Sequence, residues 1–207
     1  DVDSYLPRSY DLSDIAEAEE FAQYFKATYA ESLVRKAAGE SQGTLRAASL
    51  AVALQVVARR IVAITGDDFA VGDLAVGEEE VFDGQLVSSE EWNILLGGSI
   101  SGYGGMAKGP GPLPGQCLEP EAGSARIQEL QTEAQQLVTQ LERLAEDRPQ
   151  LSLNGPRNLW VLKPGELSRG RGVMVMDSLV EISRFFGGWF TVQKYQENPL
   201  LIERNGK

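Results

Sequence analysis

Residues 97–124 divide this chain, because nine of these 28 positions are Gly and four are Pro. That share exceeds the roughly 25–30% at which a chain without a repeat is expected to be of low complexity or disordered. The sequence therefore predicts a flexible insertion at 97–124 and not a ligand-binding loop. The other segments are expected to be a helical part at 1–96, a long helix with its connector at 125–152, and a final subdomain at 153–207.

The segments on both sides of the insertion have the periodicity of helices. Apolar residues recur there at steps of three and four positions, as they do along the buried face of a helix. A further short helix is expected after Ser88, because Ser88 and Glu91 have the spacing of a capping box. Residues 67–87 are acidic and are expected to form a loop. The three long periodic stretches predict helices at about 15–36, 45–64 and 124–146.

The character of the chain changes after residue 153, where short apolar runs replace the helical periodicity. A polar turn that contains glycine joins the first two runs, which predicts a hairpin. Ser178 and Glu181 form a second capping box, so a short helix through Phe186 is expected next. The fold class is therefore α+β: a helical N-terminal part is followed by a strand–hairpin–helix–strand unit. The predicted strands cover residues 158–164, 172–176 and 189–195, and a fourth begins at 200–202.

Composition restricts the chemistry that this chain can perform. The 207 residues include no His and one Cys, which excludes imidazole general bases, Ser-His-Asp triads and an internal disulfide. No continuous run of about 18 apolar residues is present, so no membrane-spanning segment is predicted.

The charge of the chain is unevenly distributed. The net charge is −11, yet residues 156–207 carry 8 basic and 5 acidic side chains, whereas residues 1–155 carry 11 basic and 25 acidic ones. A nucleic-acid-binding protein normally has a dominant basic face. The local basic segment therefore favours an anionic small ligand or a short acidic partner over nucleic acid. The alternative is a chance imbalance among surface residues.

The most informative segment is the end of the first predicted strand and the loop after it. Lys163 lies at the end of the strand, and the loop contains three glycines together with Arg169 and Arg171. Glycines allow backbone amides to approach a ligand closely, and cations offset the charge of a polyphosphate. The loop is neither GxxxxGK nor GxGxxG. The segment predicts a phosphate site, and the alternative is a surface hairpin with a flexible turn.

Two segments of this chain, NLWVLKPGELSRGRGVMVMDSLVEI and FTVQKYQENPLLI, resemble the nucleotide-binding part of the tubulin tyrosine ligase-like family. Their motifs are most similar to those of the glycylase branch. The resemblance is strong over residues 153–203, fainter at PRSYDL and SSEEW, and does not include the Gly/Pro-rich insertion. It implies that residues 153–207 form an incomplete ATP-grasp central subdomain, and that the chain is an N-terminal and central fragment of a longer ligase.

The resemblance also implies an activity, cofactors and partners. Members of the family use ATP to phosphorylate a carboxylate, and an amine then attacks the acyl phosphate. In the glycylase branch, glycine is joined in this way to glutamate side chains in the acidic tail of tubulin. The implied cofactors are ATP and Mg²⁺, with the metal ligands outside this chain, so the fragment alone is expected to be inactive. Tubulin or microtubules and axonemal proteins are the implied partners, at the cytoskeleton of the cytoplasm or the cilium, with no nucleic acid or membrane involved.

The family's motifs assign roles to individual residues of this chain. By the resemblance, Lys163 would contact a phosphate of ATP. Arg169 and Gly170 would lie in the flexible loop that covers the phosphates. The adenine-binding strand would be lined by Gln193, Lys194, Tyr195 and Gln196.

The chain departs from the family pattern at two of these motifs. Leu167 stands where the branch usually has a second lysine, and Gln196 stands where it usually has an aliphatic residue. The family's Mg²⁺ ligands also lie beyond the PLLI motif. These departures leave open a second hypothesis, in which the protein keeps the ligase fold but is a non-catalytic structural component of microtubules or the axoneme. RNA binding by the RGRG run is a third and weaker hypothesis, because such RNA-binding segments need longer Arg-Gly tracts or stacking platforms.

Overall fold

The structure is a computed structural model that describes residues 6–39, 46–66, 86–97 and 120–197. Most of the predicted insertion, most of the predicted loop at 67–87 and the predicted strand at 200–202 lie outside these residues. The described strands are β1 (Ser9–Asp11), β2 (Trp160–Pro164), β3 (Met174–Met176) and β4 (Phe190–Lys194). The described helices are α1 (Ile15–Ala38), α2 (Ala47–Thr65), α3 (Ser89–Leu95), α4 (Pro120–Asp147), α5 (Pro149–Ser152) and α6 (Leu179–Ile182).

The helix starts follow from local capping chemistry. Asp14 caps α1 by accepting hydrogen bonds from the backbone nitrogens of Ala16 and Glu17. The capping box between Ser88 and Glu91 is present at the start of α3, as predicted. Side-chain oxygens thus satisfy backbone donors that have no partner within the helix.

Two helix boundaries differ from the prediction. α4 begins at Pro120, about four residues before the predicted start and within the segment interpreted as insertion. Proline fits the first turn of a helix because its missing N–H has no acceptor there. The helix expected to continue through Phe186 ends at Ile182, and a 3₁₀ turn at Ser183–Phe185 replaces its last part.

The strands form one antiparallel sheet in the order β1-β4-β2-β3. The predicted hairpin is confirmed, with Trp160 opposite Met176 and Leu162 opposite Met174. β1 is only three residues long and pairs with β4 from the far end of the chain. The mixture of helices and a small antiparallel sheet confirms the α+β class.

Alternation along the strands gives the sheet two different faces. The inner face carries Trp160, Leu162 and Val192, which are fully buried against Phe21 and Phe25 of α1. We call the opposite side the outer face. Its side chains on the two central strands are those of Val161, Lys163, Thr191 and Gln193.

Helix α1 belongs to both of the hydrophobic clusters that the described residues form. Phe21 and Phe25 pack under the sheet, whereas Leu33 and Val34 pack against α2 and α4. The long helix α4 contributes the buried stripe that its periodicity predicted: Leu130, Ala134, Leu137 and Leu141. One helix therefore joins the helical part to the sheet.

Helix α2 is long and apolar enough to cross a membrane by length and composition, and among the described helices it alone is. Half of its most apolar 18-residue window is buried inside the protein. Leu54, Val57 and Ile61 are among the residues that pack against α1 and α4. This burial explains the hydrophobicity of α2, because α2 is a core helix.

Candidate functional site

The outer face brings two of the predicted site residues into contact. Lys163 lies on β2 and Gln193 on β4, and the Lys163 Nζ donates a hydrogen bond to the Gln193 Oε1. The Gln193 Nε2 in turn donates to the carbonyl oxygen of Pro7 at 3.2 Å. Lys163 is exposed, so its ammonium group is both fixed in position and open to solvent.

The segment between β2 and β3, which we call the glycine loop (residues 165–173), consists of two successive tight turns. Arg169 and Gly170 both have positive φ angles, 60° and 72°, and the Arg171 nitrogen donates across this turn to the Ser168 oxygen at 3.3 Å. Positive φ at both central residues is the requirement of the hairpin turns that match strand twist. Gly172 has φ 70°, and the Val173 nitrogen donates to the Gly170 oxygen at 3.4 Å.

A hollow of about 620 Å³ lies between the glycine loop and the ends of the strands. None of the predicted site residues lines it. Leu167 does line it and is 54% exposed. The walls of the hollow are Pro164, Glu166, Leu167, Gly172, Met174, Trp189 and Phe190.

Lys194 lies on the inner face, away from Lys163 and Gln193. Its side chain is 3% exposed. The Lys194 Nζ donates to the Leu159 carbonyl oxygen at 3.0 Å and to the Glu197 Oε1 at 3.1 Å, and it lies 5.3 Å from the centroid of the Trp160 ring. Burial lowers the pKa of Lys194, and the Glu197 carboxylate opposes that shift.

Glu197 is a structural residue that the sequence reasoning missed. Its carboxylate is 2% exposed and accepts hydrogen bonds from the backbone nitrogens of Arg157 at 2.8 Å and Leu159 at 3.0 Å, in addition to the ion pair with Lys194. The chain passes so close that a Cβ on Gly155 would lie 2.7 Å from the Glu197 Cβ. The three-residue spacing of Lys194 and Glu197 was a signal that could have indicated this pair.

The remaining predicted residues lie beyond opposite ends of β4. Tyr195 and Gln196 are exposed just beyond the end of β4, whereas the glycine loop lies beyond its start. Five strand residues at about 3.3 Å each separate the two ends by roughly 16 Å. The structure therefore brings Lys163 and Gln193 together on the outer face, whereas Tyr195 lies beyond one end of β4 and Arg169 and Gly170 lie beyond the other.

The outer face shows no metal centre in the part of the chain that the structure describes. Among those residues, no group of three or more Asp, Glu, Cys or His side chains could hold a metal ion. The exposed cations among the predicted site and loop residues are Lys163, Arg169 and Arg171, whose charge suits phosphate oxygens.

Comparison with known proteins shows what this sheet and loop are similar to. Residues 115–207 match the family described as the "Tubulin-tyrosine ligase family". This part of the chain is therefore similar to the tubulin-tyrosine ligase family, which agrees with the resemblance of its motifs. No solved structure matches the chain.

Individual relatives place the chain near the glycylase branch of that family. Tubulin monoglycylase TTLL3 of Homo sapiens is 41% identical over 38% of this chain. Tubulin glycylase 3B of Tetrahymena thermophila is 28% identical over 98% of this chain, and protein monoglycylase TTLL8 of Homo sapiens is 26% identical over 97%. The matched regions make up 11%, 21% and 25% of these three relatives, so the chain spans at most about a quarter of their length.

Proposed function

We propose that this chain forms the nucleotide-binding part of an ATP-dependent ligase that modifies tubulin by joining glycine to glutamate side chains. The similarity to tubulin glycylases supports the reaction class. The observation that carries the proposal is the contact of Lys163 with Gln193 on the outer face. An exposed ammonium group held by a neighbouring amide is suited to binding a phosphate without the entropic cost of ordering a free lysine.

The positions on the outer face suit an extended nucleotide. The base would lie near Tyr195, a phosphate would contact Lys163, and the glycine loop with Arg169 and Gly170 would cover the phosphate end. Bound ATP supplies the phosphoryl group that the glutamate carboxylate oxygen accepts, and the glycine amine then displaces phosphate from the acyl carbon. The residues of this chain would position the nucleotide and offset its charge, which is the main protein contribution to phosphoryl transfer.

The implied Mg²⁺ would be held by residues outside the described part of the chain. Because the relatives are at least about four times as long as the matched region, the complete protein is the form in which activity is to be tested. We further propose that it acts on microtubules of the cytoplasm, including those of cilia, with axonemal proteins as additional partners.

The proposal is tested by substituting Lys163→Ala in the complete protein. We expect ATP-dependent incorporation of labelled glycine into tubulin to fall at least about tenfold, because one charge-assisted hydrogen bond to phosphate is worth roughly 1.5–3 kcal/mol. Lys36→Ala is the matched control, since Lys36 is an exposed lysine on α1 and lies away from the outer face. Thermal unfolding of both variants verifies that they remain folded.

Glycine incorporation that is unchanged in Lys163→Ala would refute the proposed role of Lys163. Equal losses in Lys163→Ala and Lys36→Ala would refute a specific role for the outer face.

The burial of Lys194 supports a second candidate function. Its ammonium group is already occupied by Glu197 and the Leu159 carbonyl, although the family resemblance assigns it to the adenine-binding strand. We keep the hypothesis of a non-catalytic, ligase-like structural protein of microtubules or the axoneme for this reason. If the complete gene product lacks the carboxylates and Asn that hold Mg²⁺ in the family, the structural function is favoured and the enzymatic one fails.

A further inference from the structure

A second cavity lies on the helical side of the sheet, at the junction of α1, α2, α5 and the chain that leads into β1. Its volume is about 490 Å³, within the usual range of about 300–1,000 Å³ for small-molecule sites. None of the residues assigned to the nucleotide lines it. Its polar lining residues are Arg8, Tyr24, Arg60, Asp147, Arg148 and Gln150.

Two guanidinium groups of this cavity share one aromatic ring. The Cζ atoms of Arg8 and Arg60 lie 4.8 Å and 5.0 Å from the centroid of the Tyr24 ring. Each contact is a cation–π interaction that orients its guanidinium group. Both positively charged residues also line the cavity, where an anion would offset their charge.

Arg60 is held rigidly in this arrangement. Its side chain is 6% exposed, and its Nη1 donates to the buried Glu31 Oε2 at 2.8 Å. Asn154 Nδ2 donates to the same oxygen at 2.9 Å, which fixes the carboxylate in turn. A guanidinium group has five N–H donors, so this contact leaves donors for a ligand. The Arg60 side chain is already ordered in the folded protein, so ligand binding does not incur the entropic cost of ordering it.

Arg148 is hydrogen-bonded to the backbone of α2, and the backbone of Arg8 is hydrogen-bonded to the side chain of Gln150. The Arg148 Nη2 donates to the Ile64 carbonyl oxygen at 3.0 Å, and the backbone nitrogen of Arg8 donates to the Gln150 Oε1 at 3.0 Å. Asp147 is the one carboxylate among the lining residues. Residues 1–155 carry 25 acidic and 11 basic side chains, yet three arginines and one carboxylate line this cavity.

We propose that this cavity binds a small ligand through a carboxylate or phosphate group, with the guanidinium groups of Arg8, Arg60 and Arg148 as the binding groups. Planar guanidinium groups match the paired oxygens of both anions and bind them in bidentate fashion. The site is separate from the outer face and does not depend on the function proposed for it.

The test is calorimetric titration of the full chain with two probes at constant ionic strength, namely inorganic phosphate and glutarate. Arg8→Gln and Arg148→Gln are the informative variants, because both residues are at the cavity and neither is the partner of buried Glu31. We expect each substitution to raise the dissociation constant of the probe about tenfold, because one charge-assisted contact is lost. Arg126→Gln is the matched control, because Arg126 is an exposed arginine on α4 away from the cavity.

The two probes distinguish the source of the anion. Stronger binding of phosphate assigns the site to a phosphorylated ligand, and stronger binding of glutarate assigns it to a carboxylate. Either result supports the proposal if Arg8→Gln and Arg148→Gln weaken binding of that probe. The proposal is overturned if neither probe binds, if Arg8→Gln and Arg148→Gln leave binding unchanged, or if Arg126→Gln weakens it equally. Thermal unfolding of each variant confirms that a loss of binding is not a loss of folding.

Discussion

At the scale of single residues, Glu31 connects three segments of the protein. Its side chain is 1% exposed, and it accepts hydrogen bonds from Arg35 and Arg60 as well as from Asn154. Arg35 lies on α1 with Glu31, Arg60 lies on α2, and Asn154 lies in the segment that leads into β2. Removing the charge would leave the nearly buried Arg60 without its counter-ion.

We predict that Glu31→Gln lowers the free energy of unfolding by about 3–5 kcal/mol, the usual cost of removing one partner of a buried ion pair. Urea unfolding measures the change. Glu129→Gln is the control: Glu129 pairs with Arg126 but is 62% exposed, so a loss below about 1 kcal/mol is expected there. If Glu31→Gln also lowers the free energy of unfolding by less than about 1 kcal/mol, the Glu31 network does not stabilise the fold.

Single residues also show what a two-residue period could have predicted. The family resemblance implies that Gln193, Lys194, Tyr195 and Gln196 together line the adenine-binding strand, yet consecutive side chains of a strand point to opposite faces. Gln193 lies on the outer face with Lys163, and Lys194 is buried on the inner face. The nucleotide roles of these residues stay predictions. The depth of Lys194 could not be predicted, because it depends on packing of Trp160 and Glu197.

At the scale of elements, the segment before β2 is hydrogen-bonded to a residue that follows the end of β4. The Glu197 carboxylate after β4 binds the backbone nitrogens of Arg157 and Leu159 before β2, and Gly155 leaves room for that carboxylate. This contact positions the two strands that carry Lys163 and Gln193.

We predict that Gly155→Ala lowers the free energy of unfolding by about 1–3 kcal/mol, because the added methyl group would overpack the space beside Glu197. Chemical denaturation measures the effect. Gly39→Ala is the matched control, since its nearest neighbour would be the Arg35 oxygen at 3.6 Å. A Gly155 variant as stable as the control would mean that the Glu197 side chain can move aside at little cost.

Local signals predicted some elements well and others not at all. The capping box at Ser88 and the hairpin of β2 and β3 depend on neighbouring residues, and both were found. β1 could not be predicted from local signals, because its three residues become a strand through pairing with β4, more than 170 positions away. The early start of α4 at Pro120 was obscured by the high Gly and Pro content before it.

At the scale of the whole molecule, charge separates two regions. Residues 1–155 have a balance of −14 and residues 156–207 a balance of +3, from 11 basic and 25 acidic against 8 basic and 5 acidic side chains. An acidic peptide should therefore approach the side that carries the glycine loop, because the rest of the surface repels it.

We predict that affinity for a polyglutamate peptide falls steeply as salt rises, because exposed charges are screened beyond a Debye length of about 10 Å at 0.1 M salt. Fluorescence anisotropy at several salt concentrations measures it. Arg169→Gln with Arg171→Gln should reduce both the affinity and the salt dependence, whereas Arg126→Gln serves as the exposed-arginine control. Salt-independent affinity would contradict docking on this side.

The sharing of α1 between the two hydrophobic clusters limits how the protein can change shape. The helix has 24 residues without Gly or Pro, so it has no intrinsic point of bending over its length of about 36 Å. Phe21 and Phe25 touch the sheet, and Leu33 and Val34 touch the other helices. Any tilt of the helical layer therefore also displaces the aromatic rings under the sheet, and a hinge between the two layers would require breaking this helix.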